Sequence, residues 1–129
     1  RPLHPGAKIL NGKVLDDAGF GDDSGILAGM EWAAAEGADI VNMSLGGMDT
    51  PETDPLEAAV DKLYAEKGIL FAIAAGNEGP QSIGSPGSAD SALTVGAVDD
   101  KDKLADFSST GPRLGDGAVK PDLTAPGVD

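Results

Sequence analysis

The order of apolar and helical stretches in this 129-residue chain favours an α/β protein, an open parallel sheet with helices on both faces. The stretches alternate as β-α-β-α-β, and their connections are long enough for right-handed crossovers. The run "ILFAIAA" at 69–75 is apolar on both sides, as is typical of a strand covered from above and below. One domain is expected, since the chain length and a hydrophobic content of 40% are ordinary for a single globular unit.

The first part of the chain is predicted to hold a strand, a helix and a second strand. "KILNGKVL" at 8–15 is a β-type run that leads into a loop. A helix then begins after an N-cap at Ser24 and ends before Gly37, with apolar residues recurring on one side. The run "ADIVNMSL" at 38–45 follows as a strand and is ended by a pair of glycines.

The second predicted helix has a well-marked start and end. Asp54, Pro55 and Glu57 have the pattern of an N-cap, a first-turn proline and a capping-box acid. Apolar residues follow at helical spacing until Gly68 ends the helix. After the apolar run already described, a last strand is predicted at "ALTVGAV", 92–98.

The charge of the chain excludes several classes of partner. Nine lysines and arginines stand against 22 aspartates and glutamates, a net charge of −13. Such a field repels phosphate backbones and anionic lipid surfaces, so neither nucleic acid nor membrane is an expected partner. The sequence also lacks cysteine, which excludes a thiol nucleophile and thiolate metal ligands.

Glycine-rich loops follow the first three predicted strands, as "GFG", "SLGG" and "AGNEG". In open α/β sheets the ligand crevice lies outside the carboxyl ends of the strands, and loops of small residues leave room there for another backbone. Asn77, within "AIAAGNEGP", is expected to point its amide into that crevice. Taken alone, an asparagine flanked by glycines is an ordinary left-handed turn residue.

Five motifs decide between these two interpretations of Asn77, because they occur together and in a fixed order. They are "VNMSLGG" at 41–47, "AAGNEGP" at 74–80, "VGAVD" at 95–99, "FSSTGP" at 107–112 and "KPDLTAPGV" at 120–128. The set resembles the catalytic domain of subtilisin-like serine proteases, family S8, from Ala7 to Val128. The resemblance implies that 1–129 is a partial peptidase domain with an incomplete subtilisin-like fold, taken from a secreted endopeptidase that acts on polypeptides.

The resemblance also assigns the site residues. Asn77 matches the oxyanion-hole asparagine, whose amide N–H would bind the oxygen that becomes negative during peptide hydrolysis. The matched substrate-binding residues are Ser44, Leu45 and Gly46 on one wall of the S1 pocket, Ala74, Ala75 and Gly76 on the opposite wall, Gly84 on its floor, and Gly19, Phe20 and Gly21 on an edge that pairs with extended substrate. In the family the peptide bond before the matching proline is often cis, so Ser85–Pro86 is expected to be cis.

The catalytic triad is the main departure from the family. Its Asp, His and Ser signatures are not found in these 129 residues. The single histidine, His4, matches an ordinary loop. The motif "SLGG" at Ser44 is not the G-x-S-x-G nucleophile elbow, and Ser108 and Ser109, which have no base near them in sequence or in the family pattern, are expected to be strand or turn residues. Loss of the nucleophile or base costs roughly 2 × 10⁶ in turnover, against about 10²–10³ for the oxyanion donor. We therefore expect the chain alone to be inactive, with the triad supplied by flanking segments.

No cofactor is predicted for the chain itself. Subtilisins often bind calcium, and the weaker cation site of the family matches Pro86–Ala92 together with Asp122. The longer loop "RLGDGAVK" at 113–120 alters that neighbourhood here. The resemblance therefore allows calcium only in the complete protein. Two groups of acids are most simply solvated loop residues, Asp16, Asp17, Asp22 and Asp23 and then Asp99, Asp100 and Asp102.

Two other functions remain open at this stage. The same crevice would suit a non-catalytic module that holds an extended peptide. A dinucleotide-binding domain is a weaker alternative, because Gly19, Gly21 and Gly25 miss the G-x-G-x-x-G spacing by one residue. For a sheet separated from its neighbouring segments we also expect exposed strand edges and self-association.

Overall fold

A computed structural model describes residues 3–128, so that Arg1, Pro2 and Asp129 of the predicted domain 1–129 lie outside the described residues. It contains one sheet of four parallel strands in the order β1-β2-β3-β4. The strands are β1 (Ile40–Met43), β2 (Leu70–Ala74), β3 (Leu93–Val98) and β4 (Leu123–Pro126), and the helices are α1 (Asp23–Ala35) and α2 (Pro55–Lys67). The predicted α/β architecture with a parallel sheet is confirmed.

The second helix has the predicted ends. The Asp54 side chain accepts the Glu57 N–H, the Glu57 side chain accepts the Asp54 N–H, and Pro55 occupies the first turn. Gly68 closes the helix in the left-handed region at φ 67°. These signals are local in sequence, which is why they could be identified without any knowledge of the fold.

The first helix begins earlier than predicted. Its N-cap is Asp22 and not Ser24, because the Asp22 carboxylate accepts the Gly25 N–H at 2.7 Å. That hydrogen bond, aided by one from the Ser24 hydroxyl, lowers the pKa of Asp22. Gly37, just beyond the C-cap Glu36, has φ +80° as expected for the residue that ends a helix.

The strand predictions have mixed outcomes. The strand predicted at 8–15 is wrong, since this segment forms no ladder with β1 or with any other described strand. A strand requires a partner, and only Val14 and Leu15 of this segment pack against the core. The predictions at 38–45, 69–75 and 92–98 are confirmed with shorter bounds, whereas β4 was not predicted.

Both helices lie on the same face of the sheet. They contact each other, and their side chains share one core cluster with alternate strand residues. Its large members are Ile26, Met30, Met43, Leu56, Val60, Leu63, Phe71 and Ile73. The strand order runs in one direction without reversal, so right-handed crossovers fall on one side. Helices were predicted on both faces of the sheet. Among residues 3–128, the two helices cover one face.

The opposite face of the sheet is apolar and incompletely covered. Leu70, Leu93 and Val95 are half-buried there, while Ile40 at one edge and Leu123 at the other are 64% and 43% exposed. Between residues 3 and 128, none of the helices is long and apolar enough to cross a membrane.

Candidate functional site

Asn77 lies in the loop that leaves the carboxyl end of β2. It is exposed, and within residues 3–128 its side chain forms no hydrogen bond. The preceding Gly76 has φ +114°, and a Cβ at that position would lie 2.7 Å from Ser109 Oγ. Glycine is therefore required beside Asn77, both for the backbone angle and for the close approach of Ser109.

The segment at 107–110 holds the Asn77 loop in place. The Ser109 N–H donates to Gly76 O at 2.9 Å, and Ser109 Oγ accepts the Glu78 N–H at 3.0 Å. Farther along, the Gly79 N–H donates to Phe107 O at 3.0 Å. Ser109 is completely buried, so its hydroxyl is a structural support of the loop that carries Asn77.

The residues predicted to form the two walls and the floor of the S1 pocket come together at the ends of β1 and β2. The Gly84 N–H donates to Ala75 O at 2.9 Å. Gly47 and Ser85 exchange two backbone hydrogen bonds of 2.8 and 3.0 Å, which join the segment after β1 to the segment that contains Gly84. Gly46 and Gly47, at the end of the first predicted wall, therefore lie beside the segment of Gly84 and Ser85, and Ala75 of the second predicted wall is hydrogen-bonded to Gly84.

The spacing between these segments is tight. A Cβ on Gly84 would lie 3.0 Å from Gly47 O, and a Cβ on Gly46 would lie 3.0 Å from Ser85 O. Leu45 packs against the core cluster, which anchors the first wall. The Ser85–Pro86 peptide bond beside this floor is cis, as predicted.

Gly19 closes a turn that begins at Asp16, and Phe20 and Gly21 follow it without belonging to any of the described strands. The Asp16 carboxylate accepts the Phe20 N–H at 2.9 Å, and the Asp16 N–H donates to Phe20 O at 2.7 Å. The Phe20 side chain is 75% exposed. From residue 3 onward no strand precedes this turn, so the strand–turn–helix context of a dinucleotide site is missing there as well.

The predicted cation neighbourhood beside Asp122 holds a lysine. The Lys120 ammonium is buried and donates to Ala92 O at 2.8 Å, to Thr94 Oγ1 at 3.0 Å and to Asp122 Oδ2 at 3.0 Å. Burial acts to raise the pKa of Asp122, but hydrogen bonds from the Thr94 N–H and from Lys120 outweigh it and lower the pKa. A calcium ion does not fit beside this ammonium, so the residues present do not form the family's weaker cation site.

Two of these structural roles were not predicted from the sequence. Ser109 was expected to be only a strand or turn residue, and Lys120 was not singled out. Each contacts residues 26 to 31 positions away, as the bonds to Thr94 and Glu78 show. The motifs "FSSTGP" and "KPDLTAPGV" were the only signals that contained them.

Comparison with known proteins agrees with this geometry. The profile described as the subtilase family matches residues 3–129. Pyrolysin of Pyrococcus furiosus is 41% identical over 95% of this chain, serine protease AprX of Bacillus subtilis is 41% identical over 97%, and subtilisin DY of Bacillus licheniformis is 42% identical over 96%. The chain spans only 11%, 32% and 43% of these three relatives, respectively.

Solved structures show the same likeness. The prenylagaramide maturation protease PagA superposes on 87% of this chain with a TM-score of 0.72 and 33% identity, and the match covers 39% of that protein. The protease domain of PatA matches 80% of the chain, with a TM-score of 0.66 and 34% identity, over 36% of its own length. This chain therefore belongs to the subtilase family, the S8 family of serine proteases.

Proposed function

We propose that this chain supplies the oxyanion donor and the S1 walls of a subtilisin-like serine endopeptidase. The observation that carries the proposal is the convergence of three segments, Ser44–Gly46, Ala74–Asn77 and Gly84, at the carboxyl ends of adjacent parallel strands. The nucleophile, base and orienting acid would come from segments outside these 129 residues. The chain alone is then inactive.

In this function the Asn77 amide would donate a hydrogen bond to the carbonyl oxygen of the scissile peptide bond. That oxygen gains negative charge as the carbon becomes tetrahedral, so a fixed donor lowers the energy of the transition state more than that of the bound substrate. The rigid support of the loop by Ser109 favours this role, because a preorganised donor needs no rearrangement during the reaction.

The walls would bind substrate through backbone contacts. Ser44 and Gly46, which follow β1, are exposed residues and Leu45 is half-buried, which leaves room for a main-chain ladder with an extended peptide. Gly19, Phe20 and Gly21 would bind the other side of the same peptide. Polypeptides are thus the proposed substrates, and secretion is proposed on the family resemblance alone.

The test uses the complete protein that contains this chain. Asn77→Ala should lower kcat about 10²–10³-fold with little change in KM, because the lost hydrogen bond is made mainly in the transition state. Asn11→Ala, at an exposed position outside the cleft, is the matched control and should leave kcat unchanged. An unchanged kcat for Asn77→Ala would refute the oxyanion role.

The alternative is a non-catalytic module that holds an extended peptide in the same cleft. A serine-directed phosphonate separates the two functions, since it blocks a serine peptidase and does not react with a binding module. The complete protein should lose its peptidase activity on treatment. The isolated chain should form no covalent adduct with a peptide aldehyde, and adduct formation would show that it carries a nucleophile of its own.

A further inference from the structure

Three carboxylates gather between the segment after β1 and the N-terminus of α2. They belong to Asp49, Asp54 and Glu57, and one oxygen from each lies within 4.8 Å of the others. Asp54 and Glu57 were predicted only as helix-capping residues, and Asp49 was not singled out. The cluster shares no residue with the Asn77 loop or with the Asp122 neighbourhood.

Asp49 is the residue that capping does not explain. It is only 7% exposed, and its Oδ1 atom is fully buried without a hydrogen-bond partner among residues 3–128. A buried carboxylate oxygen without a partner is costly, because it has lost its water and gained nothing in exchange. A bound ligand with positive charge would compensate this oxygen.

Within the described part of the chain, no lysine or arginine forms an ion pair with the cluster. The ion pairs found between residues 3 and 128 are formed by Lys13, Arg113 and Lys120, none of which contacts the cluster. Glu57 is also buried, at 8% exposure.

The ligand types and their separation favour calcium. All donors are oxygens, which hard cations prefer over softer transition metals. Oxygens bound to one Ca²⁺ at roughly 2.3–2.6 Å can lie up to about 5 Å apart, which these separations satisfy. Mg²⁺ suits the cluster less well, because it dehydrates reluctantly and usually keeps several of its waters. The Ser85 hydroxyl donates to Asp54 Oδ2 and places a fourth oxygen at the cluster.

We propose that Asp49, Asp54 and Glu57 bind one Ca²⁺ ion. The ion would tie the segment after β1 to the start of α2 and, through Ser85, to the segment that contains Gly84. It would thereby fix the backbone that leaves Ser44–Gly46. This calcium site does not depend on the proposed peptidase function. A chain without catalytic activity would bind calcium as well.

Calorimetry on the 129-residue chain tests the site directly. After removal of metals with a chelator, Ca²⁺ should bind with a stoichiometry of one. Asp49→Asn should weaken the affinity at least tenfold, because a charged ligand is replaced by a neutral one of the same shape. Glu66→Gln, an exposed acid on the same helix, is the control and should bind as the wild type does.

Thermal unfolding distinguishes a metal site from a cluster in which protons, and not a metal ion, neutralise the three carboxylates. Calcium should raise the Tm of the wild type and leave that of Asp49→Asn nearly unchanged, while in chelator the variant should melt at or above the wild type. If Asp49→Asn loses the helical circular dichroism spectrum, Glu57→Gln replaces it, since glutamine preserves the capping box. Absence of binding heat at about 10 mM Ca²⁺, or a Tm that calcium does not change, would overturn the proposal.

Discussion

At the scale of single residues, one buried hydroxyl contributes to the support of the Asn77 loop, beside the backbone hydrogen bonds that also hold it. Ser109 Oγ accepts the Glu78 N–H, so Ser109→Ala would leave that N–H without its partner. We expect a loss of about 1–3 kcal/mol in the free energy of unfolding. Denaturant unfolding measures this loss, and Ser91→Ala, whose hydroxyl forms no hydrogen bond within residues 3–128, is the control. Equal stabilities for the two variants would contradict the supporting role of Ser109.

Lys120 provides a second prediction at this scale. Lys120→Met keeps the aliphatic volume but removes the ammonium that donates to Asp122 Oδ2, Thr94 Oγ1 and Ala92 O, so that Asp122 keeps only the hydrogen bond from the Thr94 N–H. Removing one partner of a fully buried pair costs roughly 3–5 kcal/mol, and because Asp122 is 38% exposed we expect about 2 kcal/mol here. Chemical denaturation at neutral pH measures the loss. A variant as stable as the wild type would show that the ammonium is not needed.

The same pair predicts a dependence on pH. The pKa of Asp122 is lowered in the folded state, so at acid pH the unfolded chain binds more protons than the folded chain. The stability that Asp122 contributes is therefore present above its ordinary pKa of about 4 and is lost as the pH falls through the lower, folded value. In Lys120→Met this acid-side loss should be smaller. Identical slopes for both proteins between about pH 4 and pH 2 would contradict the pairing.

Single residues differ in how well their roles could be predicted from the sequence. Asn77 and its glycine neighbours were predicted because the motif around them is contiguous. The unpartnered oxygen of Asp49 was not predictable, since it depends on how a loop folds against Glu57 and on burial, which a sequence does not display.

At the scale of elements, the start of α1 provides the clearest test of a corrected prediction. Asp22, and not Ser24, caps the helix. Asp22→Ala should lower the Tm by a few degrees, because the Gly25 N–H loses its acceptor. Ser24→Ala removes only a hydroxyl that donates to Asp22 and should change the Tm less. The reverse order of the two effects in thermal melts would restore Ser24 as the N-cap.

Helices and strands differed in how well they could be predicted. The capping box of Asp54 and Glu57 encodes α2 within a few residues. The segment 8–15 has a β-type composition, but composition does not supply a partner strand. β4 was missed because it is short and ends in Pro126, and because it is defined by its pairing with β3.

At the scale of the whole molecule, the uncovered face of the sheet predicts self-association. Ile40 and Leu123 are exposed at opposite edges, with half-buried apolar side chains between them. We expect the isolated chain to form dimers or larger species as its concentration rises, because exposed apolar surface and open strand edges favour pairing. Sedimentation velocity over a concentration series measures this. A compact monomer at all concentrations would contradict it.

The acidity of the chain acts against this association. A net charge of −13 repels a second copy, and salt screens that repulsion. Self-association should therefore strengthen as the ionic strength increases. The net charge thus opposes self-association, and the uncovered apolar face favours it. The composition of the chain indicates only the effect of the charge.

The position of the Asn77 amide relative to the reacting oxygen is the central claim. The most direct measurement is a crystal structure of the complete protein with a peptide aldehyde bound as a tetrahedral adduct. We predict that Asn77 Nδ2 lies about 2.7–3.1 Å from the adduct oxygen, with the peptide between Ser44–Gly46 and Gly19–Gly21. An adduct oxygen bound by other donors, with the Asn77 side chain turned toward solvent, would contradict the account.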